Sequence, residues 1–270
     1  MIVLLPALSD DVDWSVCVRD ATSSQVLASV EPDRVSRTAS IGKLFLLIEI
    51  ARRSEEGTLD LAERLARTPD VAVAESGLWY LLRQDSLAID DLCWLVGGFS
   101  DNYATNVLVR HVGIDAIAAT TASLGFERSA LLDIVRDDRG PEHPWTLSAG
   151  CAGELSDLMA RLHRDEIVSA DVSARVLRWI AANADLSMVA AAFGLDPLAH
   201  ADPDRGITLV NKTGTISTVR ADVGVVAGPE ARVAYAVLAS WSEEAPDDPR
   251  DRVLADMAAV GAVLRSHVAG

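Results

Sequence analysis

Three short motifs in this sequence carry residues that could together transfer an acyl group. They are Ser40-Ile41-Gly42-Lys43, Ser100-Asp101-Asn102 and Lys212-Thr213-Gly214, in that order along the chain. Acyl transfer requires a nucleophile that attacks a carbonyl carbon and a base that removes the proton of the nucleophile. A serine hydroxyl and a lysine amine can fill these two roles, so we interpret the motifs as the apparatus of a serine hydrolase.

The first motif predicts a nucleophile beside its base. If Ser40 begins the helix that residues 44–48 continue, Lys43 lies one turn further on and shares its face. An ammonium group on an apolar helix loses solvation, which lowers its pKa and favours the neutral base. The helix N-terminus at Ser40 would also stabilise an oxyanion. The competing interpretation is an N-capping serine followed by a surface lysine.

The second motif predicts a proton relay. Ser100 could pass a proton to the leaving group, while Asn102 could hydrogen-bond a substrate amide and help to fix Lys43. We expect Asp101 to hold the turn. An ordinary helix N-cap is the competing interpretation of this motif.

The third motif predicts a substrate-binding strand end. Gly214 would let a substrate lie against the backbone as a further strand, and the Thr215 amide is a candidate oxyanion donor. A phosphate-binding loop does not fit, because Asn211 stands where a glycine is required before Lys212 and no helix follows. A plain lysine at a strand end is the other interpretation.

Hydrophobic patterns predict the elements that position these motifs. Residues 14–19 and 25–30 alternate on either side of a turn and predict an antiparallel hairpin. Apolar residues three and four positions apart predict helices over residues 43–53, 59–65, 77–83, 89–95, 102–112, 115–124, 149–163, 172–182 and 251–267. Further strands are predicted over residues 208–211, 219–227 and 231–241.

Strands at both ends with helices between them predict an α+β fold. We expect an antiparallel sheet built from both termini and flanked by helices, in a discontinuous domain of residues 1–45 and 201–270. Residues 46–200 would form an inserted all-helical domain. The three motifs would then lie in the cleft between the two domains, the usual place for a substrate site.

Composition excludes several classes of partner. The net charge of −16 disfavours nucleic acid and anionic membranes, so a small molecule is the expected substrate. No run approaches the ~20 apolar residues of a membrane span, and the apolar residues 1–8 lack the basic region of a secretion signal. We therefore expect a cytoplasmic monomer, or a secreted one if a leader was trimmed.

Cysteines, histidines and tryptophans are assigned structural roles. The three cysteines and five histidines lack metal-ligand spacing, so we predict no metal and no cofactor. The histidines are expected at the surface or at caps. The tryptophans expected to fill the core are Trp79, Trp94, Trp145, Trp179 and Trp241.

Taken together, the motifs resemble those of the class A β-lactamases and related penicillin-binding proteins. Besides the motifs, the resemblance covers the opening hairpin, the helix after Ser40, the turn at Ser100, and the terminal strands and helix. It implies a β-lactamase/transpeptidase-like fold. It also implies acylation of Ser40 followed by hydrolysis of the acyl-enzyme, with β-lactam amides as the expected substrates.

The resemblance also implies a role for each motif residue. Ser40 would be the nucleophile, Lys43 its base partner, and Ser100 and Lys212 the proton relay and carboxylate anchor. The backbone amides of Ser40 and Thr215 would form the oxyanion hole. Arg220, eight residues past Lys212, is similar to the family's carboxylate-binding arginine. The expected substrate-binding residues are Asn102, Thr213, Gly214, Thr215 and Arg220.

One departure from the family pattern concerns deacylation. Family β-lactamases carry Glu-x-x-Leu-Asn in an Ω-loop, and its glutamate activates the deacylating water. No such sequence occurs over residues 125–146. Asp137 and Glu142 are candidate bases there, with a loop salt bridge or a solvated charge as the alternative for each. Without a positioned base the acyl-enzyme would clear slowly.

A second departure is the lack of an export signal, since enzymes that defend or build cell walls act outside the cytoplasm. Two enzyme alternatives therefore stay open. One is an intracellular esterase or amidase with the same Ser-Lys chemistry, and the other is a penicillin-binding peptidase with slow or no β-lactam turnover. A binding protein that senses an acyl ligand is a third alternative, although its expected mark would be the loss of a motif residue.

Overall fold

The computed structural model describes residues 3–73, 76–200, 202–245 and 247–270. Its strands are β1 Asp13–Asp20, β2 Val26–Val30, β3 Ser36–Arg37, β4 Arg64–Ala66, β5 Ser86–Ala88, β6 Ala130–Leu131, β7 Ser148–Gly150, β8 Thr208–Ile216, β9 Val219–Ala227 and β10 Arg232–Ser240. Its helices are α1 Lys43–Glu55, α2 Ile89–Phe99, α3 Asn102–Val112, α4 Ile114–Ser123, α5 Ala152–His163, α6 Ala170–Ile180 and α7 Arg250–Ala269. Single 3₁₀ turns occupy Ala39–Gly42, Pro69–Val71, Trp79–Leu81 and Val189–Phe193.

The main sheet combines strands from both ends of the chain. Its five antiparallel strands lie in the order β2-β1-β10-β9-β8, so β8 forms one edge. The predicted hairpin is β1 and β2, and the three predicted C-terminal strands are β8, β9 and β10. The predicted α+β fold is therefore confirmed.

Both faces of this sheet are buried, as strand β10 illustrates. Ala234, Ala236 and Leu238 join the core that the sheet shares with α1 to α6. Val233 and Val237 point to the opposite face and pack in a second core with α7. This alternation follows from the two-residue period of a strand. The sheet is thus a middle layer between two groups of helices.

Helix α1 runs through the interior of the helical side. Nine consecutive residues, Lys43 to Ala51, are buried, because α2, α3, α4 and α6 surround the helix. A helix that is apolar around its circumference is typical of such a central position. Glu49 is its second buried charge, and it accepts hydrogen bonds from Arg52, Arg53 and Thr120. Helix α1 therefore begins at Lys43 inside the core and not at the surface.

Two helix predictions were wrong. Residues 59–65 form turns and the start of β4, which pairs with β5, and residues 77–83 form a single 3₁₀ turn. Leucines at 59, 61 and 65 fit a two-residue period as well as a helical one, so the pattern was ambiguous. Strands β4 to β7 also show that residues 46–200 are not all helical. Helix α5 packs directly on β1, β9 and β10 of the main sheet.

The cysteines and some of the tryptophans have the buried positions that the sequence predicted. Cys17, Cys93 and Cys151 are buried free thiols. Trp79, Trp179 and Trp241 are buried, whereas Trp145 is 61% exposed and does not belong to the core. Across the described ranges, no helix combines the length and the apolar composition that crossing a membrane requires.

Candidate active site

All three motifs contribute to one cleft of about 570 Å³. Ser40 lines it from the 3₁₀ turn before α1, and Ser100 and Asn102 line it from the junction of α2 and α3. Thr213 and Thr215 line it from the edge strand β8. A concave site bounded by separate elements is the common form of a small-molecule site.

Ser40 lies in a constrained turn rather than in the helix itself. The preceding Ala39 has a left-handed backbone with φ of 47°, which is costly for a residue with a side chain. Ser148 holds this turn, since its hydroxyl donates to the Ala39 carbonyl at 2.5 Å. A Cβ at Gly42 would lie 2.3 Å from the Ser148 Cβ, so only glycine fits there. Helix α1 begins at Lys43, as the predicted helix over residues 43–53 does, so Ser40 precedes the helix instead of opening it.

Strand β8 touches the backbone of this turn at Gly214. A Cβ at Gly214 would lie 2.3 Å from the Thr38 carbonyl oxygen and 3.1 Å from the Ser40 nitrogen. Any side chain at this position would push the strand away from the turn. The amide of Ser40 and the backbone of β8 therefore lie side by side, as an oxyanion hole shared with Thr215 requires.

The Lys43 amine joins the first motif to the second. Its Nζ atom donates to the Ser100 carbonyl oxygen at 2.6 Å, to Ser100 Oγ at 3.2 Å and to Asn102 Oδ1 at 2.8 Å. Burial lowers the pKa of Lys43 well below its ordinary value, and the nearby ammonium of Lys212 lowers it further. Asp101 opposes this shift. A lowered pKa favours the unprotonated amine, which is the form that can accept a proton.

The turn that presents Ser100 is held by Asp101, as predicted. Ser100 has φ of 54° and ends α2, while Asp101 caps α3 by accepting from the Ala104 amide at 2.8 Å. The second carboxylate oxygen of Asp101 accepts from the amides of Leu78 and Trp79, both at 2.7 Å. These bonds fix the direction of the Ser100 side chain.

Lys212 lies fully buried behind the cleft wall. Its Nζ donates to the Thr213 carbonyl oxygen at 2.9 Å. Burial lowers the pKa of the Lys212 amine from 10.5 to about 8, and the carboxylates of Asp185 and Asp222 oppose that shift. At neutral pH this group remains a cation close to Thr213.

Lys43 and Lys212 are the two lysines of the whole sequence, and every other basic side chain that is not a histidine is an arginine. Both lysines have no exposed surface. The burial of Lys43 excludes a surface lysine after a helix cap, and Lys212 lies within β8 and not at its end. An arginine could not replace Lys43 in its predicted role as a base, because it stays protonated in proteins.

The comparisons with known proteins fit this geometry. Residues 4–265 match the family model described as the β-lactamase enzyme family. The chain belongs to that family. It is therefore a serine hydrolase of the β-lactamase type, and small molecules are its substrates.

Individual relatives of this β-lactamase-family chain are distant but similar over nearly their full length. The β-lactamase regulatory protein BlaB of Streptomyces cacaoi is 24% identical, over 94% of this chain and 92% of that protein. The β-lactamase of Sphaerobacter thermophilus has a TM-score of 0.80 at 21% identity, with 94% and 90% of the two chains covered. A variant of PBP-A, solved as its acyl-enzyme complex with penicillin G, has a TM-score of 0.78 at 23% identity, with 95% and 90% covered.

The two carboxylates predicted as deacylation bases do not line the cleft of this β-lactamase-family chain. Asp137 and Glu142 are exposed, and neither is among the described residues of the cleft wall. Glu142 instead lies 3.3 Å from His143. The neighbouring segment reaches the cleft through Val135 and two arginines. Among the described residues, Asp185 is the one carboxylate on the wall.

Val135 is held in the cleft wall through its backbone. The Asn106 side chain accepts from the Val135 amide at 2.8 Å and donates to the Val135 carbonyl oxygen at 2.9 Å. Asn106 itself is buried in α3, four residues after Asn102. The side chain of residue 135 thus has a defined position in the cleft, and in this β-lactamase-family chain it is apolar.

Arg220 lies opposite Thr215 in the strand register but is not among the described residues of the cleft wall. Its Nη1 donates to the carbonyl oxygens of Ile216 at 2.7 Å and Val219 at 2.8 Å, and its guanidinium stacks 5.8 Å from the Trp241 ring. Its predicted role in binding a substrate carboxylate stays a prediction.

A buried polar network supports the strand that carries Lys212. Asp222 Oδ1 accepts from Asn211 Nδ2 and from the Tyr235 hydroxyl, both at 3.0 Å. Burial raises the pKa of the Asp222 carboxyl from 3.8 to about 7. Asn183 on the cleft wall donates to Asn211 Oδ1 at 2.9 Å. The network therefore runs from the cleft into the sheet.

Sequence reasoning missed several residues of this region. Arg37, Phe99, Trp145 and Asp185 line the cleft, and adjacency to Ser40 and Ser100 could have drawn attention to the first two. His200 was expected at the surface or at a cap, but it is buried in the loop before β8, with its ring nitrogens 2.7 Å from the carbonyl oxygens of Leu209 and Asn183. Its role in closing the loop before β8 had no sequence pattern.

Proposed function

We propose that Ser40 is acylated by β-lactam amides and that the resulting acyl-enzyme is hydrolysed slowly. The observation that carries the proposal is the buried Lys43 amine, bonded to Ser100 and Asn102 beneath the cleft that Ser40 lines. Membership of the β-lactamase enzyme family supports this choice of substrate.

Acylation would begin with proton transfer from Ser40 Oγ to the neutral Lys43 amine. The Ser40 oxygen then attacks the lactam carbonyl carbon, and the amides of Ser40 and Thr215 stabilise the oxyanion. The carbon–nitrogen bond breaks as the lactam nitrogen takes a proton from the Ser100 hydroxyl, which recovers one from Lys43. The 3.2 Å contact between Lys43 Nζ and Ser100 Oγ supports this relay.

Hydrolysis of the acyl-enzyme would be slow, because the wall formed by residues 135–147 supplies no carboxylate within the described residues. Arg136 and Arg139 line that wall, and both pair with Asp133 instead of leaving its carboxylate available to a water molecule. A water activated by a positioned base typically reacts 10² to 10⁴ times faster, so the lack of one extends the lifetime of the adduct.

Intact-mass spectrometry after incubation with benzylpenicillin tests the proposal. We expect an adduct of one penicillin mass on the wild-type chain and none on Ser40→Ala. Ser76→Ala is the matched control, since Ser76 lines the same cleft. An adduct that survives Ser40→Ala, or rapid cleavage of a short-chain aryl ester without any penicillin adduct, would contradict the proposal.

A sensor of β-lactams is a second candidate function, and the absence of a carboxylate among the described lining residues of segment 135–147 favours it as well. A relative of 24% identity carries the name of a β-lactamase regulatory protein. A sensor would keep its adduct for hours. It would therefore also need hours for each turnover of a chromogenic cephalosporin. Turnover of the cephalosporin within seconds would exclude this second candidate.

A further inference from the structure

The described cleft wall contains one carboxylate, that of Asp185, which has no part in the acylation proposed above. Asp185 is half-buried in the segment between α6 and the 3₁₀ turn Val189–Phe193. The amide and the hydroxyl of Ser187 both donate to Asp185 Oδ1, at 3.0 and 2.6 Å. These two bonds fix the orientation of the side chain, so its negative charge has a defined position on the cleft wall.

The backbone of Asp185 is tied to strand β8 beside Lys212. The side-chain nitrogen of Asn183 donates to the Asp185 carbonyl oxygen at 3.0 Å and to Asn211 Oδ1 at 2.9 Å. Asn211 directly precedes Lys212 in the strand. Asn183 and Asn211 are both buried, and the His200 ring lies 2.7 Å from the Asn183 carbonyl oxygen. The segment that carries Asp185 is therefore anchored to the strand that carries Lys212.

The Asp185 carboxylate acts on two cations at this end of the cleft. It opposes the burial that lowers the pKa of the Lys212 amine, and it acts on the pKa of the Arg220 guanidinium in the same direction. The hydrogen bonds of Lys212 and Arg220 go to backbone carbonyl oxygens. The carboxylate thus acts on both cations through space and reduces the positive potential that they create in the cleft.

A fixed carboxylate at this place changes which substrates the cleft favours. An anionic group that approaches Lys212 is attracted by the ammonium but repelled by Asp185, whereas an uncharged group is affected much less by either charge. Like charges brought together in a binding site disfavour the wrong partner strongly. The net charge of −16 adds a general repulsion of anions. Both effects favour a substrate that is uncharged at this end.

We propose that Asp185 is a specificity-determining residue, which disfavours substrates with a negative charge next to Lys212 and so selects acyl donors that are uncharged at this end of the cleft. The inference rests on the proposed function for the acylation of Ser40. It narrows the preferred substrates to neutral amides and esters, including β-lactams whose carboxylate is masked.

The test compares benzylpenicillin with its methyl ester, which differ in the charge of one carboxylate. The second-order rate of Ser40 acylation is measured by intact mass at pH 6.5, where Lys212 is protonated. We expect the wild-type chain to react with the methyl ester at least as fast as with benzylpenicillin. Asp185→Asn should raise the rate with benzylpenicillin about 5- to 50-fold relative to that with the ester, whereas Asp185→Glu should keep the wild-type ratio.

Asp196→Asn is the matched control, because it removes an equal charge from a similar turn outside the described cleft wall. Asp196 Oδ1 accepts from the Leu198 amide at 2.9 Å, as Asp185 Oδ1 accepts from the Ser187 amide. This variant should keep the wild-type ratio, and thermal unfolding reports the fold of every variant. If Asp185→Asn changes both rates by the same factor, Asp185 has a structural role and the inference is overturned. A wild-type chain that reacts faster with benzylpenicillin than with the ester would overturn it too.

A binding measurement separates this inference from the proposed function. On the Ser40→Ala background, equilibrium binding of benzylpenicillin and its methyl ester is followed by the fluorescence of Trp145, which is exposed at the cleft. If the wild-type chain is never acylated but Asp185→Asn strengthens the binding of benzylpenicillin relative to the ester, the specificity role stands and the proposed function fails. If Asp185→Asn leaves the relative binding unchanged, the specificity role fails whatever the acylation result.

Discussion

The Lys43 Nζ atom lies 2.6 Å from the carbonyl oxygen of Ser100 and 3.2 Å from its hydroxyl. The two residues come from different helices, and the left-handed backbone of Ser100 lets both of its oxygens face the same amine. If the hydroxyl relays protons, removing it should slow acylation by a factor of about 10² to 10⁴.

Ser100→Ala and Ser100→Gly test this role together. Glycine accepts the left-handed backbone without strain, whereas alanine keeps the Cβ. We expect equal losses of acylation rate in the two variants, measured by intact mass with benzylpenicillin. A large loss in alanine with little loss in glycine would instead attribute the effect to the shape of the turn.

The two lysines should give two resolved titrations. In protein labelled with ¹³C at the lysine ε carbon, two side-chain signals are expected, and Lys43→Met removes one. Both should titrate below 10.5, Lys212 at about 8 and Lys43 well below its ordinary pKa, because burial disfavours both ammonium groups. A signal titrating at 10.5 would contradict the buried position of that lysine.

The pH dependence of substrate affinity should follow Lys212. Its ammonium charge is present below a pKa of about 8 and is lost above it. The affinity of Ser40→Ala for benzylpenicillin should therefore fall as the pH rises through 8. Its affinity for the methyl ester of benzylpenicillin, which has no carboxylate charge, should not change. Parallel curves for the two ligands would show that the Lys212 charge does not contribute to carboxylate binding.

Asp222 should make the protein less stable as the pH rises through 7. Its pKa is raised from 3.8 to about 7 by burial, so the folded state binds the extra proton and loses this advantage when it is released. Between pH 5 and pH 8 this loss amounts to about 2 to 3 kcal/mol of unfolding free energy.

Asp222→Asn should remove that loss, because an amide can accept the same bonds from Asn211 and Tyr235 without a charge. Urea unfolding at pH 5 and pH 8 measures the difference. Asp247→Asn changes an exposed aspartate and should keep the wild-type difference. An unchanged difference in Asp222→Asn would mean that Asp222 does not titrate in this range.

Val135→Glu should shorten the lifetime of the acyl-enzyme. Asn106 holds the backbone of residue 135, so a glutamate there would bring a carboxylate to the wall segment 135–147, whose described lining residues include none. We expect the half-life of the penicillin adduct to fall at least about tenfold.

Val135→Gln is the matched control for that change, since it has the same size without a base. Asp137→Asn and Glu142→Gln should leave the half-life unchanged, because both residues lie outside the described cleft wall. If Val135→Gln shortens the half-life as much as Val135→Glu, the effect is one of packing and not of base catalysis.

The sequence predicted the elements with strong periodicity and missed those that depend on tertiary contacts. Strands β9 and β10 alternate clearly and flank Gly228 and Pro229, so they were predicted to within one residue, whereas β8 runs five residues beyond the predicted residues 208–211. The strand β4 replaces a predicted helix because its pairing with β5 is invisible to local pattern. Trp145 was assigned to the core by its hydrophobicity alone, although it lies exposed at the cleft.

The candidate site was predictable where a motif combines residue type with spacing. Ser40, Ser100 and Thr213 line one cleft, as expected if the three motifs belong to one site. Arg37 belongs to no motif, so its nearness to Ser40 in the sequence was the available signal, and its hydrogen bond to Thr218 was not predictable. The restriction of lysine to two positions was visible in the sequence and was the overlooked pattern.

The close approach of Gly214 to Thr38 has a consequence for how the protein is made. These residues lie roughly 175 positions apart, and contacts of such long range form late and slowly. While a nascent chain is still on the ribosome, Ser40 has emerged but the strand that must lie beside it has not yet been translated. We therefore expect chemical competence only after β8 has been translated and has docked beside Ser40.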